Sequence, residues 1–244
     1  MEEQNRIADA VMGFDFEIRA LDQRIEKLSA LRDAVIEDLL SRVDVEYRAL
    51  SALGSIRLGK KLSPSSVGNG EQFPYLRVAN VLAGRIDMGD LKTMHFAEHE
   101  RAVFRLRAGD VLLNEGQSLE LVGRSSVFRG SSQPLYFQNT LIRFRPAGIL
   151  LPDYGQIIFS RWLRDGEFSK LAKQTTSIAH LSTDRFSRMD FPLISLADQE
   201  TVIKTAVRFS SQLTALETRA AKLRTMRQAL AEDVLAGRVR VTDL

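Results

Sequence analysis

The chain has 244 residues, 44% of them hydrophobic and 27% charged, enough for a packed core and too apolar for a disordered chain. It has no cysteine, which excludes a disulfide framework and a thiolate metal site and makes a reducing cytoplasm the expected compartment. No apolar run approaches a membrane span, the acidic start MEEQNR lacks the features of a secretory signal, and the net charge is only +3.

From Ile7 the apolar positions run Ile7, Val11, Phe14, Ile18, Leu21, Ile25 and Leu28, then Arg32, Val35 and Leu39, in alternating steps of four and three. That heptad stripe predicts a long helix over residues 1–45 that needs a helical partner. At about 1.5 Å per residue its roughly 33 residues make a rod of roughly 50 Å.

Residues 46–198 change period. YLRVANVL (75–82), VFRLR (103–107), VLLNE (111–115) and YFQNTLIRFR (136–145) are predicted strands, with Ala108-Gly109-Asp110 as a hairpin turn between the second and third. One helix is predicted from Pro152 and Asp153, with Tyr154, Ile157, Ile158 and Trp162 on one face. This segment holds 20 Lys and Arg against 15 Asp and Glu, whereas residues 1–45 hold 6 against 11. A mildly basic domain is compatible with a polyanionic partner.

Residues 199–244 return to the heptad. Val202, Ala206, Phe209, Leu213, Leu216, Ala220 and Leu223, then Arg227, Leu230 and Val234, repeat the first stripe at a constant offset of 195. Twelve of the 38 residues from 3 to 40 are identical to their counterparts in 198–235, among them Lys27, Glu37 and Asp38, which lie off the seam. The expected architecture is α+β: one mixed α/β domain flanked by two long helices that pair as an antiparallel coiled coil. Its seam is expected to include Ile18, Leu21, Ile25, Leu28 and Arg32 on one helix and Leu213, Leu216, Leu223, Arg227 and Leu230 on the other. Arg32 and Arg227 either fix register as buried polar seam residues or mark where the helices diverge to receive a partner.

Motifs for catalysis are missing from the sequence: no phosphate loop, no dinucleotide fingerprint, no nucleophile elbow, and no Asn-Pro-Pro-Tyr tetrapeptide for a flipped base. His95 and His99 are spaced for one helical face but lack a zincin carboxylate, so no metal and no cofactor is expected. The middle domain is instead rich in groups that suit DNA. Lys60 and Lys61 adjoin the polar stretch SPSSVGNG, and Asn114, Gln117, Arg124, Gln138 and Asn139 lie at ends of predicted strands. Lys170, Lys173, Gln174, Thr175 and Thr176 form another polar run. Arg and Lys bond guanine, Asn and Gln bond adenine, and hydroxyls hold phosphates.

Longer stretches carry a resemblance. FPYLRVANVLAGRIDMGDLK (73–92), GDVLLNEGQSLELVGRSSVFRG (109–130), LYFQNTLIRF (135–144) and FPLISLADQETVI (191–203), with the closing LAGRVRV, resemble the specificity subunit of type I restriction-modification systems. The resemblance implies a non-catalytic, cytoplasmic subunit that reads double-stranded DNA and docks the modification (methyltransferase) and restriction subunits. In that family each target-recognition domain reads half of a bipartite site, and long helices act as spacers. The family's usual order is domain, helix, domain, helix; here it is helix, domain, helix, and Glu3-Gln4 aligns with Asp198-Gln199 at the same offset. A second half-length chain, or a second copy of this one, is therefore the expected source of the other half-site reader. An orphan DNA-binding regulator and a coiled-coil protein scaffold remain the alternatives.

Overall fold

The computed structural model describes residues 2–63, 70–174 and 178–235, with the side chains of residues 2–10, 174 and 235 outside that description. In chain order the elements begin with α1 (Glu2–Ser41), β1 (Glu46–Ala49), the single turn α2 (Leu50–Leu53), β2 (Gly54–Leu58) and β3 (Gln72–Leu76). Then come β4 (Val81–Leu82), β5 (Arg85–Ile86), β6 (Lys92–His95), α3 (Glu98–Phe104), β7 (Val111–Asn114), β8 (Gly116–Gln117) and β9 (Ser125–Val127). The chain continues through β10 (Tyr136–Phe137), β11 (Leu141–Pro146), α4 (Pro152–Arg164), α5 (Glu167–Leu171), β12 (Lys173–Gln174) and β13 (Ala179–His180). It closes with α6 (Thr183–Ser187), β14 (Asp190–Leu193) and α7 (Leu196–Leu235). This is the expected α+β class with a long helix at each end, and it divides into two units, residues 1–42 with 204–244, and residues 43–203.

The first unit is a helical pair. Asp15 meets Arg227 (2.7 Å) and Asp22 meets Arg224 (2.6 Å), so position rises on α1 as it falls on α7 and the helices run antiparallel. Ile18 and Leu21 are buried on α1; on α7 the buried Ala206, Leu213 and Ala220 recur every seven residues. Ile25, Leu28, Leu216, Leu223 and Leu230 are half-buried, as a seam only two residues wide leaves them. Late in α1 the buried positions are Ile36 and Leu40, where the heptad stripe places Val35 and Leu39. Eighteen residues are five turns at 3.6 per turn, so in a straight helix Ile36 stands over Ile18 and the 3.5-residue stripe drifts off the buried line. Neither seam arginine is a buried register residue: Arg227 is exposed and reaches across to Asp15, and half-buried Arg32 holds its neighbour Asp33 at 2.9 Å.

The second unit is built on an antiparallel sheet of order β2-β11-β7-β9. Strand residues alternate faces. On one face Phe144 meets Phe159 and Phe186, and Trp162 of α4 packs against Phe168 and Phe191. Tyr154 is buried there, its hydroxyl donating to the Pro192 carbonyl at 2.7 Å, and burial pushes its ionisation well above the ordinary tyrosine range. Leu112, Leu141, Phe137 and Phe128 belong to the core of the opposite side. A three-stranded sheet, β10-β3-β6, adjoins that core through Tyr75, Met94, Phe96 and Tyr136, the Phe96 and Tyr136 rings stacked 4.4 Å apart.

Three predicted strands are corrected. Residues 103–107 do not form a hairpin with 111–115, because α3 runs to Phe104 and Leu106 N–H donates to the Leu135 carbonyl at 2.8 Å. The ladder partners of β7 are β9 and β11. Phe104 packs edge-on against Phe137, a burial that a helix end provides as readily as a strand. The stretch 75–82 is broken by a 3-10 turn at Val78–Asn80, where the buried Asn80 side chain takes the Arg77 N–H and donates to the Asp87 and Asp90 carbonyls. Likewise 136–145 is two strands, β10 and β11, separated by residues 138–140.

Candidate nucleic-acid interface

Short backbone pairings join the polar segments singled out in the sequence into one strip. Gln138 bridges Lys60, and Asn139 N–H donates to the Lys60 carbonyl at 3.0 Å. Next to them Glu115 N–H donates to the Thr140 carbonyl (2.9 Å), and Leu181 N–H donates to the Glu115 carbonyl (2.8 Å). A second three-stranded sheet, β12-β13-β8, then lines up Gly116 and Gln117 with Ala179 and His180, and these with Lys173 and Gln174. Five chain segments from residue 60 to residue 181 thus share one continuous backbone surface.

Gly59 makes the first of these contacts possible. A Cβ there would lie 2.2 Å from the Gln138 carbonyl oxygen, so only glycine lets the end of β2 approach residue 138. Gly123 has φ +83°, and a Cβ would lie 2.2 Å from the buried Phe168 ring, fixing the loop between β8 and β9 onto the core.

The strip distributes the predicted residues unevenly. Lys61 and Lys173 are exposed, while Gln117, Gln138 and Asn139 are half-buried with side chains near the surface. Gln117 Oε1 accepts the Ser118 N–H at 3.2 Å, and Gln138 Oε1 accepts from the Thr140 hydroxyl at 3.5 Å, weak bonds that an incoming base edge can replace. Lys170 is exposed but paired with Glu167 at 2.6 Å on its own helix. The Gln174 side chain, Thr175 and Thr176 lie outside the described residues.

Two of the expected readers work inside the domain. Lys60 donates to the His95 carbonyl (2.8 Å), is ion-paired with Glu100 and lies 5.1 Å from the Phe96 ring centroid. Burial works to raise the Glu100 carboxyl, but the Lys60 hydrogen bond and the Ala97 N–H outweigh it and hold the group below its ordinary value of 4.5. Asn114 is fully buried in β7, its amide donating at 3.4 Å to the Val81 carbonyl, out of reach of any base edge. Arg124 is half-buried beside it, its carbonyl accepting the Asn114 N–H (2.9 Å), and desolvation lowers its guanidinium pKa.

Sequence reasoning missed His180 and Glu115, which meet at 3.2 Å in the middle of the strip. Their only signal is tertiary, since they stand 65 residues apart. Among the described residues no group of acidic, histidine or cysteine side chains is arranged to hold a metal, and no helix is long and apolar enough to cross a membrane.

No family model matches the chain. It is 34% identical over 112 residues to the type I restriction enzyme EcoKI specificity subunit of Escherichia coli K12. Over that segment the chain is similar in sequence to a type I specificity subunit. The aligned segment covers 45% of this chain and 24% of that subunit. The HsdS subunit of Thermoanaerobacter tengcongensis superposes with a TM-score of 0.57 at 19% identity, covering 98% of this chain and 59% of that one. The type I S subunit of M. genitalium superposes with a TM-score of 0.57 at 17% identity over 94% of this chain and 60% of its own. A chain from a structural study of complex assembly and conformational transition in the type I system matches at 0.55 and 17% identity, over 92% of this chain and 58% of that one. The chain therefore spans about three-fifths of the solved subunits whose fold it shares.

Proposed function

We propose that this chain is the non-catalytic, DNA-reading subunit of a type I restriction-modification complex, in which its one recognition domain reads half of a bipartite site. The observation that carries the reading is the strip on residues 43–203, where Gln117, Gln138, Asn139, Lys61 and Lys173 gather from four parts of the chain. Gln and Asn amides pair with the N6 and N7 edge of adenine, and lysines hold phosphates on either side. Half-buried amides on backbone pinned by cross-strand bonds are positioned readers, since little side-chain freedom is lost when a base arrives.

The helical pair is the docking surface for the methyltransferase in this reading. It leaves Phe16 71% and Leu31 53% exposed, and a groove of about 550 Å³ between the helices is lined by Arg24, Lys27, Leu28, Leu31 and Leu216. Exposed apolar side chains beside cations suit a partner with an apolar, acidic face.

The test is co-expression with a type I modification subunit followed by genome-wide mapping of methylated bases. A new methylated motif is expected, bipartite if a second reader joins and half-length if none does. Co-purification of the two subunits with no new methylated motif would sink the reading.

A further inference from the structure

Next to the strip lies a cluster of arginines that the sequence reading did not use. On β11, Arg143 and Arg145 point to the sheet face opposite Phe144 and the α4 aromatics. Arg57 of β2 stands directly across from Arg143 in the ladder, an arrangement that places like charges about 5 Å apart at Cβ. Arg143 is only 4% exposed; it donates to the Val103 carbonyl at 3.0 Å, lies over the Phe137 ring, and its Nε has no partner. Arg145 clasps buried Asp110 through Nε (2.6 Å) and Nη2 (2.8 Å) and also reaches the Arg105 carbonyl.

Asp110 is fully committed, because it also accepts the Arg107 N–H at 2.7 Å. Arg57, Arg105 and Arg107 are exposed and have no acidic partner among the described residues. Burial, followed by the neighbouring arginines, pushes Arg143 down to about 10 against the partial relief that Asp110 gives. Arg145, Arg57 and Arg107 thus surround Arg143 with Asp110 as the one acidic neighbour, and the buried arginine bears the cost. An ordinary solvated face disperses its cations or interleaves them with acids; this one holds a buried arginine among exposed ones and leaves the charge open to solvent on one side.

We propose that this cluster binds the phosphodiester backbone of DNA, with Arg57, Arg105 and Arg107 making the contacts and Arg143 and Arg145 acting as positioning residues. The proposal rests on the DNA-reading function and adds where the duplex is gripped. Arg57 precedes Lys60 by three residues, roughly 10 Å of extended chain, so the cluster lies within reach of a duplex on the strip. Phosphate contacts fix register and orientation, and the strip supplies the base contacts.

The experiment is fluorescence anisotropy of the full chain with a mixed-sequence duplex over a range of NaCl concentrations. The R57Q/R105Q/R107Q variant, whose changes are all on exposed side chains, is expected to lower the slope of log affinity against log salt by about 2 to 3. It is expected to bind roughly 100-fold more weakly near 0.1 M salt, equally for all sequences. R57K/R105K/R107K keeps the charge and is expected to keep the slope. A steep wild-type slope that the Gln variant leaves unchanged overturns the arginine proposal and leaves DNA reading intact; no salt-dependent DNA binding by wild type overturns the function itself. A melting temperature raised by millimolar inorganic phosphate in wild type alone, with DNA slopes equal, would mark a free-anion site and overturn the backbone assignment.

Discussion

Gln199, on the first turn of α7, accepts the Leu151 N–H at 2.8 Å and so holds the chain at the entrance to α4. It is completely buried, and its amide also donates to the Ile149 and Ile194 carbonyls at 3.0 and 2.9 Å. Every polar atom of the side chain is therefore used, each on backbone that no regular element satisfies. Removing the side chain leaves buried groups unpaired, so Gln199→Ala should destabilise the unit of residues 43–203 by about 2–4 kcal/mol. Urea unfolding followed by the fluorescence of Trp162, which packs in the α4 aromatic cluster, measures it; a loss under about 0.5 kcal/mol, the range of an ordinary surface substitution, would refute the role.

The Lys60–Glu100 pair predicts a shift in acid stability. The Glu100 carboxyl is held below 4.5 in the fold, so its contribution is complete above that pH and is lost as pH falls through the lower folded value. Lys60→Met removes the cation and leaves burial to raise the carboxyl. The acid-unfolding midpoint should therefore move to higher pH, by circular dichroism, with the neutral-pH fold intact. A midpoint unchanged within error would show that the pair contributes nothing.

Arg227 lies on the exposed flank of the helical pair, where it meets Asp15. Exposed ion pairs contribute about 0–1 kcal/mol, so Arg227→Leu should change helix stability by less than about 1 kcal/mol. A double-mutant cycle with Asp15→Ala, read by thermal melting at low and high salt, should give a coupling that salt abolishes. Large stabilisation by Leu would instead reveal a buried polar position.

Gln117 and Lys173 are held on the two outer strands of one small sheet, separated by β13. If they divide base and backbone contacts, their variants should differ in kind. Gln117→Ala should relax the methylated motif at one base position, a loss of about 1–3 kcal/mol there. Lys173→Ala should weaken all sites alike and lower the salt slope by about 1. Motif mapping in the reconstituted complex separates them, and the same broad weakening from both would remove the distinction.

The sequence by itself determined the helical pair and the single α/β domain between them. Periodicity is a local property, and a heptad stripe repeated at an offset of 195 needs no tertiary information to be read. It also marked most of the polar segments of the strip. It did not distinguish which residues of those segments face solvent: Lys60 and Asn114 carry the same chemistry as Lys61 and Gln117, yet two are used inside the fold and two are not. Nor did it register β8, β12 and β13, because strands of two residues have no period to detect. Tertiary structure alone decided those points, and the grouping of Arg57, Arg107, Arg145 and Asp110 around Arg143 with them. Cross-strand register and burial set which cations are neutralised, and both depend on residues far apart in the chain.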